Sequence, residues 1–326
     1  MLKYRKLLIL AVLLVATAGI AFLVYHRSAE APEAARLLPE GDLLIYANLQ
    51  PLHLFDLNKS GPVQLEGDYK DFVAQTGIQF ERDLDEVAMS RRDTPDGRDV
   101  ESSEVFAGRF DESRLRLYLQ KIAGATEQYR NHTVYSIAHE GHTVRVALLE
   151  KSQVAVTNMV SPEPMHGIID RSFKPGSGPA LLAAHYHDVP IASVAWLIDR
   201  FPNKPDALRL PGGLAFNVPA DTIAVGSLRY TGSLLFRADV FAQSEAQAKE
   251  IVDSANTNLA VVRSITQWVK ARGPDKDVKA AFDSIQVEQK ENVAVFIATI
   301  PQSVIKKIWS EAQAEGSVPA ASPQKP

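Results

Sequence analysis

The stretch SIAHEGHTVRVALLE, residues 136–150, contains two histidines separated by a glutamate and a glycine. His139 and His142 are candidate metal ligands, because imidazole binds zinc and a nearby glutamate can act as the general base of a metal-dependent hydrolase. A zincin site, however, has its histidines at positions i and i+4 of a helix, which brings both rings onto one face. Here the spacing is i, i+3, and Gly141 disfavours a helix.

The residues on both sides of HEGH are β-branched or apolar, which favours a β-hairpin. Its two-residue turn would be Glu140-Gly141, and His139 and His142 would form an opposed cross-strand pair with Cβ atoms about 5 Å apart. Two histidines so placed can share a metal, but a usable site needs a third ligand, and the sequence identifies none. We therefore predict a turn with no metal, no cofactor and no catalytic residue. The metal-dependent hydrolase using His139 and His142 is kept as an alternative.

Other polar groups lack the pattern of a known site. His185 and His187 in AAHYHDVP follow the helix-forming run LLAA, and a histidine at a helix end interacts favourably with the helix dipole. The chain has neither the G-x-S-x-G of a nucleophile elbow nor a phosphate-binding glycine motif. Four acidic residues lack the spacing and the glycine of a calcium loop, and a solvated loop is predicted for them: Glu81, Asp83, Asp85 and Glu86.

Composition excludes several classes of function. The 326 residues are 46% hydrophobic and 23% charged, which is typical of globular domains. The net charge of −4 argues against a nucleic-acid partner, because no basic excess is available to neutralise phosphates. The chain contains no cysteine, so thiol nucleophiles, thiolate metal sites and disulfides are excluded.

The N-terminus has the pattern of a membrane anchor. Residues 7–25, LLILAVLLVATAGIAFLVY, form a run of 19 uncharged residues, about the length that spans the hydrocarbon core of a bilayer. Lys3, Arg5 and Lys6 precede this run, so the N-terminus should face the cytoplasm and the remaining chain should lie outside it. The sequence therefore predicts a single-pass protein of the cell inner membrane, with a periplasmic or extracellular C-terminal domain.

A cleaved signal peptide is the competing interpretation of this segment. Cleavage after Ala18 would leave the apolar stretch GIAFLVY on the mature protein, and cleavage after Ala31 would place Pro32 next to the cut bond. The apolar run also exceeds the usual length of a signal peptide. An uncleaved anchor is the favoured alternative.

For the rest of the chain, the sequence pattern predicts two halves of alternating strands and helices. The segment KPGSGP (174–179) is the best internal boundary, because glycine and proline interrupt regular structure. The predicted organisation is a basic stub (1–6), a transmembrane helix (7–25), a polar spacer (26–37), a first half (38–174), a second half (175–316) and a disordered tail (317–326).

Each half is predicted to contain a strand, a gap, two strands, a helix, further strands and a last helix. Asp111 is a predicted N-cap, and the long helix opening at Ser244 with Gln247 as capping box should bury Ile251, Ala255 and Leu259. Strands joined by short turns indicate antiparallel pairing. The predicted class is α+β: antiparallel sheets with helices packed on one face, in two related ferredoxin-like sub-domains after the transmembrane helix.

Two short segments of the sequence are similar to segments of other proteins. ARLLPEGDLLIYANLQ, with Leu38-Pro39 and Tyr46, resembles the start of an uncharacterised family of membrane-anchored extracytoplasmic bacterial proteins. FAGRFDESRLRLYL, with Gly108 and Asp111, resembles their next strand-to-helix junction. The resemblance implies an anchored α+β domain and carries over no catalytic or binding residue.

Three functions remain open from the sequence. The leading hypothesis is a non-catalytic binding or interaction domain of the bacterial envelope, with the membrane as one partner and an unknown envelope protein or ligand as another. The second is the metal-dependent hydrolase described above. The third is a carrier that holds an apolar ligand between sheet and helices, supported by the supply of apolar strand residues.

Overall fold

A computed structural model describes residues 30–51, 67–94, 100–139, 141–150, 152–174, 176, 178–201, 206–209, 215–268 and 276–304. The predicted membrane span (7–25), the basic stub and the C-terminal tail lie outside these residues. Among the helices that are described, none has the length and apolar character needed to cross a membrane.

Helices and strands alternate along the described chain. The helices are α1 (Glu33–Leu37), α2 (Gly67–Thr76), α3 (Phe80–Asp83), α4 (Glu112–Ile122), α5 (Glu163–Phe173), α6 (Ala180–His185), α7 (Glu245–Trp268) and α8 (Lys276–Asp283). The strands of the first half are β1 (Leu43–Asn48), β2 (Leu84–Asp93), β3 (Val100–Gly108), β4 (Ala125–Tyr129), β5 (His132–His139), β6 (His142–Leu149) and β7 (Gln153–Thr157). Those of the second half are β8 (Ser193–Phe201), β9 (Asp206–Arg209), β10 (Ala215–Val218), β11 (Thr222–Tyr230), β12 (Leu234–Phe241), β13 (Gln286–Lys290) and β14 (Val293–Ile300).

One antiparallel sheet unites both halves of the chain. Its 12 strands have the order β13-β14-β12-β11-β8-β1-β2-β3-β7-β6-β5-β4, and β9 and β10 form a separate hairpin. The halves meet where β1 pairs with β8, from Leu43 opposite Asp199 to Ala47 opposite Ala195. In each half the first strand pairs with one strand of a hairpin, and a later strand pairs with the other strand of that hairpin. By this pattern β1-β2-β3-β7 corresponds to β8-β11-β12-β14.

The strand order does not show ferredoxin-like sub-domains. In a split β-α-β unit, another strand separates the two strands that the helix connects. Here β1 and β2 are direct neighbours although α2 and α3 lie between them in the chain, with Tyr46 opposite Ala88. The class α+β with a large antiparallel sheet is confirmed, whereas this finer topology is not, because element order alone does not specify which strands pair.

The first face of the sheet, here called face A, is covered by α1, α5 and α6. Strand residues on this face include Leu44 and Trp196, which are 0% and 4% exposed. They pack against Leu37 of α1, Ile168 of α5 and Leu182 of α6 in one cluster that contains residues of both halves. This shared core, together with the β1–β8 pairing, joins the two halves.

The opposite face, face B, carries helices at its two ends. At the first-half end, Leu115 and Leu119 of α4 pack on Tyr135 and Val146. At the second-half end, α7 covers β12 and β14, burying its own Ile251, Ala255 and Leu259 among strand residues as the helical spacing predicts.

The prediction that helices pack on one face is therefore wrong. The four consecutive residues Val146–Leu149 are all buried, which requires cover on both sides because successive strand side chains point to opposite faces.

The predicted polar spacer over residues 26–37 is wrong at its C-terminal end. Glu33–Leu37 form α1, and Ala34, Ala35 and Leu37 are at most 1% exposed. The small side chains of Ala34 and Ala35 suggested a spacer by composition, but they also permit close approach of a helix to the sheet. The buried core therefore begins before the first strand.

Capping residues in the sequence correctly predicted where two helices begin. Arg114 N donates to Asp111 Oδ1 at 3.1 Å, so Asp111 is the N-cap of α4. At α7, Gln247 N donates to Ser244 Oγ at 3.2 Å, while Gln243 N donates to Gln247 Oε1 at 2.9 Å. Strands β4, β9 and β10 have no counterpart in the prediction, because their short polar or glycine-rich surroundings resemble loops.

Candidate functional site

The middle of face B carries a band of half-buried apolar side chains, here called the central strip. Its members belong to none of the buried clusters formed by the described residues. They are Ile45 and Ala47 of β1, Val87 and Met89 of β2, Phe106 of β3, Ala195 and Leu197 of β8, and Leu228 of β11.

Strand register arranges the central strip in two rows. In the first row, Ile45 lies between Leu197 on β8 and Met89 on β2. This row continues to Gly226 at one end and to Glu104 at the other. Four strand spacings of about 4.8 Å make the row about 19 Å long.

The second row runs parallel to the first. Ala47 lies between Ala195 and Val87, and the row continues to Leu228 at one end and Phe106 at the other. The two rows together form an apolar band two side chains wide.

The same strands are far more deeply buried on face A. Leu44, Ala88 and Ile198 lie next to members of the central strip in sequence and are 0% exposed. Half-burial of the strip is therefore not a property of strands at the sheet edge. In the part of the chain that the structure describes, the helices of face B pack on its two ends, and none of them belongs to a cluster with the strip.

Gly226 allows one side chain of the strip to lie close to the sheet. A Cβ atom built at position 226 would be 3.1 Å from Leu197 Cγ, which is closer than such atoms normally approach. Without that atom, the Leu197 side chain packs directly over the backbone of β11. Because position 226 has no side chain, the surface of the strip lies closer to the sheet backbone at this end.

Glu104 is the acidic residue at the far end of the first row. It lies on β3 between Met89 on β2 and Val156 on β7, and its side chain is half-buried. Burial raises the pKa of the Glu104 carboxyl, and a hydrogen bond with the Ser102 side chain offsets this only in part. Among the described residues, no cation forms an ion pair with Glu104.

The HEGH segment is a hairpin turn, as predicted. His139 and His142 are register partners at the ends of β5 and β6, and both are exposed. Gly141 has φ of +83°, the conformation that a two-residue turn needs and that glycine adopts readily. In the described part of the chain, no group of three or more His, Cys, Asp or Glu residues could hold a metal ion. Glu140 lies outside the described residues.

His185 and His187 lie at a helix end, as predicted. His185 is the last residue of α6, and its Nδ1 is 3.1 Å from Asp188 Oδ2. His187 Nε2 is 3.3 Å from the other carboxylate oxygen of Asp188. Both rings therefore contact one carboxylate at the start of the connection to β8, which is a local structural role.

The acidic residues 81–86 do not form the solvated loop that was predicted. They lie on α3 and at the start of β2, and Asp83 is buried. Burial alone would raise the pKa of Asp83, but hydrogen bonds from Arg82 and from the Gln79 N–H outweigh this and hold its pKa below the ordinary value. The error arose because α3 spans only four residues and has no apolar periodicity.

A polar cluster that the sequence did not predict lies between α5 and the β4–β5 hairpin. The His166 ring stacks on Tyr129 with centroids 3.9 Å apart, and His166 Nε2 lies 2.9 Å from Glu127 Oε1. The Tyr129 hydroxyl donates to Asp170, which also pairs with Arg130 at 2.8 Å. These contacts fix the outer hairpin to α5. The residues of the hairpin and those of α5 are about forty positions apart in the chain, so no local sequence motif indicates the cluster.

Comparison with known proteins adds a distant likeness in structure alone. No protein-family model matches the chain, and no curated protein matches its sequence. Crystal form I of TP0453 is similar, with a TM-score of 0.48 at 12% identity, over 87% of this chain and 99% of that one. Crystal forms III and IV, also 12% identical, have TM-scores of 0.45 and 0.43, each over 86% of this chain and over 99% and 96% of theirs.

Proposed function

We propose that this protein is a non-catalytic binding protein of the bacterial envelope, and that its exported domain binds an apolar small molecule on the central strip. The observation that carries the proposal is the difference between the two faces of the same strands. Face A is closed by α1, α5 and α6, whereas Ile45, Leu197 and their neighbours on face B are half-buried.

Ligand binding on the strip is favoured because apolar surface in contact with water has an unfavourable free energy. Removing such surface from water contributes roughly 25 cal/mol per Å². Contiguous apolar patches on soluble proteins commonly mark binding sites. A ligand that lay between the helices at the two ends of face B would cover both rows of the strip.

The N-terminal segment supports an anchored location for this binding domain. We propose that residues 7–25 span the cell inner membrane, with Lys3, Arg5 and Lys6 on the cytoplasmic side and the sheet domain in the periplasm or outside the cell. The membrane is then one partner of the protein. The net charge of −4 supports no role for nucleic acid.

We also propose that the two halves are related units. The support is the equivalent placement of β1-β2-β3-β7 and β8-β11-β12-β14 about the central β1–β8 pair. The central strip includes residues of both units, since Ile45 of the first half lies beside Leu197 of the second.

The absence of cysteine from the chain permits a direct test of ligand binding. We would label Leu197→Cys with an environment-sensitive fluorophore in the full-length protein, reconstituted in lipid nanodiscs, and titrate it with 1-methylnaphthalene. We expect a saturable blue shift in emission. The matched control is Leu117→Cys on α4, because Leu117 is 66% exposed and is not a member of the strip. No shift at position 197, or the same shift at position 117, would contradict the proposal.

A further inference from the structure

We propose that Glu104 selects the charge of the ligand, so that the central strip binds apolar molecules that carry an ammonium or similar cationic group. The inference rests on the proposed function and names the chemical class of ligand for that site. The apolar body would lie along the row formed by Met89, Ile45 and Leu197, and the cation would lie beside the Glu104 carboxylate.

The first argument is the position of Glu104 in the sheet. It occupies the position that follows Leu197, Ile45 and Met89 in the first row, on the same face and at the same level. An acidic group at the end of an apolar row matches a molecule with an apolar body and one charged end.

The second argument is the incomplete set of partners of Glu104. Its neighbours across both strand pairings are the apolar Met89 and Val156, and Ser102 is the side chain that hydrogen-bonds to it. A half-buried carboxylate normally acquires a cation, because burial without a charged partner disfavours ionisation. Within the described residues, its own protein supplies none.

Arg91, a basic residue on this face, does not fill that role. Arg91 lies on β2, two positions from Met89 and opposite Ser102. It already takes part in another interaction. Asp199 lies on the same level as Arg91, on the other side of Leu43, so this end of face B carries both signs of charge.

Cationic, neutral and anionic ligands would interact differently with Glu104. A cation contributes a charge-assisted hydrogen bond to Glu104. A neutral apolar molecule leaves the carboxylate desolvated and unpaired. A carboxylate or phosphate places a like charge beside it. The expected order of affinity is therefore cation, then neutral molecule, then anion.

The test uses three probes that share one ring system: 1-naphthylmethylamine, 1-methylnaphthalene and 1-naphthylacetate. Their dissociation constants would be measured by equilibrium dialysis on the full-length protein in nanodiscs, with empty nanodiscs subtracted. We expect the amine to bind at least about tenfold more tightly than the acetate, a factor that corresponds to about 1.4 kcal/mol. In Glu104→Gln, the amine should lose this preference and bind like 1-methylnaphthalene.

A control variant changes the same charge on the same strand but on the opposite face. Glu101 accepts a hydrogen bond from Arg92 Nη2 at 2.9 Å on face A, so Glu101→Gln should leave the preference for the amine unchanged. Thermal melts of both variants establish that they are folded.

The possible outcomes separate this inference from the proposed function. If all three probes bind and Glu104→Gln changes none of the affinities, the charge selection is overturned and the apolar site stands. If none of the probes binds the parent protein, the proposed function fails and the inference fails with it. Tighter binding of 1-naphthylacetate than of the amine would also overturn the charge selection.

Discussion

Tyr46 of β1 stacks on Trp196 of β8, with ring centroids 5.5 Å apart and an interplanar angle of 23°. The two residues are register partners at the seam between the two halves of the sheet, on face A. Tyr186 packs against the same Trp196 ring in a T-shaped arrangement, with ring centroids 5.7 Å apart. This aromatic group therefore joins the first half of the chain to the second through side chains as well as through backbone hydrogen bonds.

Removing Trp196 should weaken the seam between the halves. The side chain is 4% exposed, and truncation of a buried tryptophan leaves a large cavity, so Trp196→Ala should lower the free energy of unfolding by about 3–5 kcal/mol. Ile191→Ala is the control, because Ile191 is 49% exposed just before β8, and it should change stability by less than about 0.5 kcal/mol. Urea unfolding of both variants measures the difference. Similar losses in the two would show that the seam is not a major source of stability.

The buried face of α7 should be sensitive to truncation. Leu259 is 2% exposed, so Leu259→Ala should cost about 2–5 kcal/mol of stability. Its sequence neighbour Asn258 is exposed, and Asn258→Ala should change stability little. Thermal unfolding of the two variants compares them directly, and equal shifts in Tm would mean that the helix does not pack through the face described.

The raised pKa of Glu104 gives a pH dependence with a definite sign. Because the folded protein holds this proton more tightly than the unfolded chain, ionisation of Glu104 lowers stability as the pH rises from the unfolded pKa through the folded pKa. Glu104→Gln should therefore be more stable than the parent protein at pH 7. The difference should vanish well below the ordinary glutamate pKa of about 4.3.

Chemical unfolding at several pH values measures this effect. Glu101→Gln should show no such stabilisation, because it removes the carboxylate that pairs with Arg92. A parent protein that is as stable as Glu104→Gln at every pH would rule out a buried, charge-disfavouring environment at position 104.

Gly141 should be the sensitive position of the HEGH turn. Its φ of +83° disfavours a β-branched side chain, so Gly141→Val should destabilise the protein by about 1 kcal/mol or more. The loss would come from backbone strain, because no atom beyond the adjacent residues lies within 4 Å of a Cβ built there. Gly141→Asn is the control and should cost less, since asparagine adopts positive φ more readily. Equal losses for valine and asparagine would argue against the strain mechanism.

The histidine pair of the turn should not bind metal. The double variant His139→Thr/His142→Thr should be nearly neutral, because threonine is favourable in paired strands. A metal site would instead add its binding free energy to the folded state. Thermal melts with and without a chelator distinguish the two, and a chelator-sensitive melt that is lost in the double variant would establish the metal site.

The N-terminal segment should remain on the mature protein. We expect the full-length chain to fractionate with membranes, and a reporter fused after Pro326 to be active only outside the cytoplasm. N-terminal sequencing of the protein from cells tests the alternative directly. A mature protein that began at Gly19 or Pro32 would identify a cleaved signal peptide.

Local structure followed from local sequence over most of the described chain. The Asp111 cap, the positive φ of Gly141 and the buried face of α7 each depend on residues that are close together in the chain, so the sequence predicts them. Strand β4 and helix α1 were missed for a related reason. Every residue of β4 except Tyr129 is exposed, and α1 is five residues long, so neither has a periodic apolar pattern.

The candidate site could not be predicted in this way. Glu104 meets Met89 and Val156 through strand pairings, and Ile45 meets Leu197 across more than 150 positions of the sequence. Ile45 and Leu44 are both apolar residues of the same strand, so residue type does not distinguish them. Yet one lies on the half-buried strip and the other in the closed core, because helices cover only one side of the sheet there.

The sequence by itself determined the α+β class, the absence of thiol chemistry, the capped helices and the HEGH turn, because each is set by residue type or by interactions between near neighbours. Only the tertiary structure decided the strand order, the union of both halves in one sheet, and the side on which α1, α5 and α6 pack. A one-residue change of register would exchange Leu44 with Ile45 between the two faces. That choice depends on the total burial of distant segments, and so the central strip with Glu104 at its end arises from the fold rather than from any local motif.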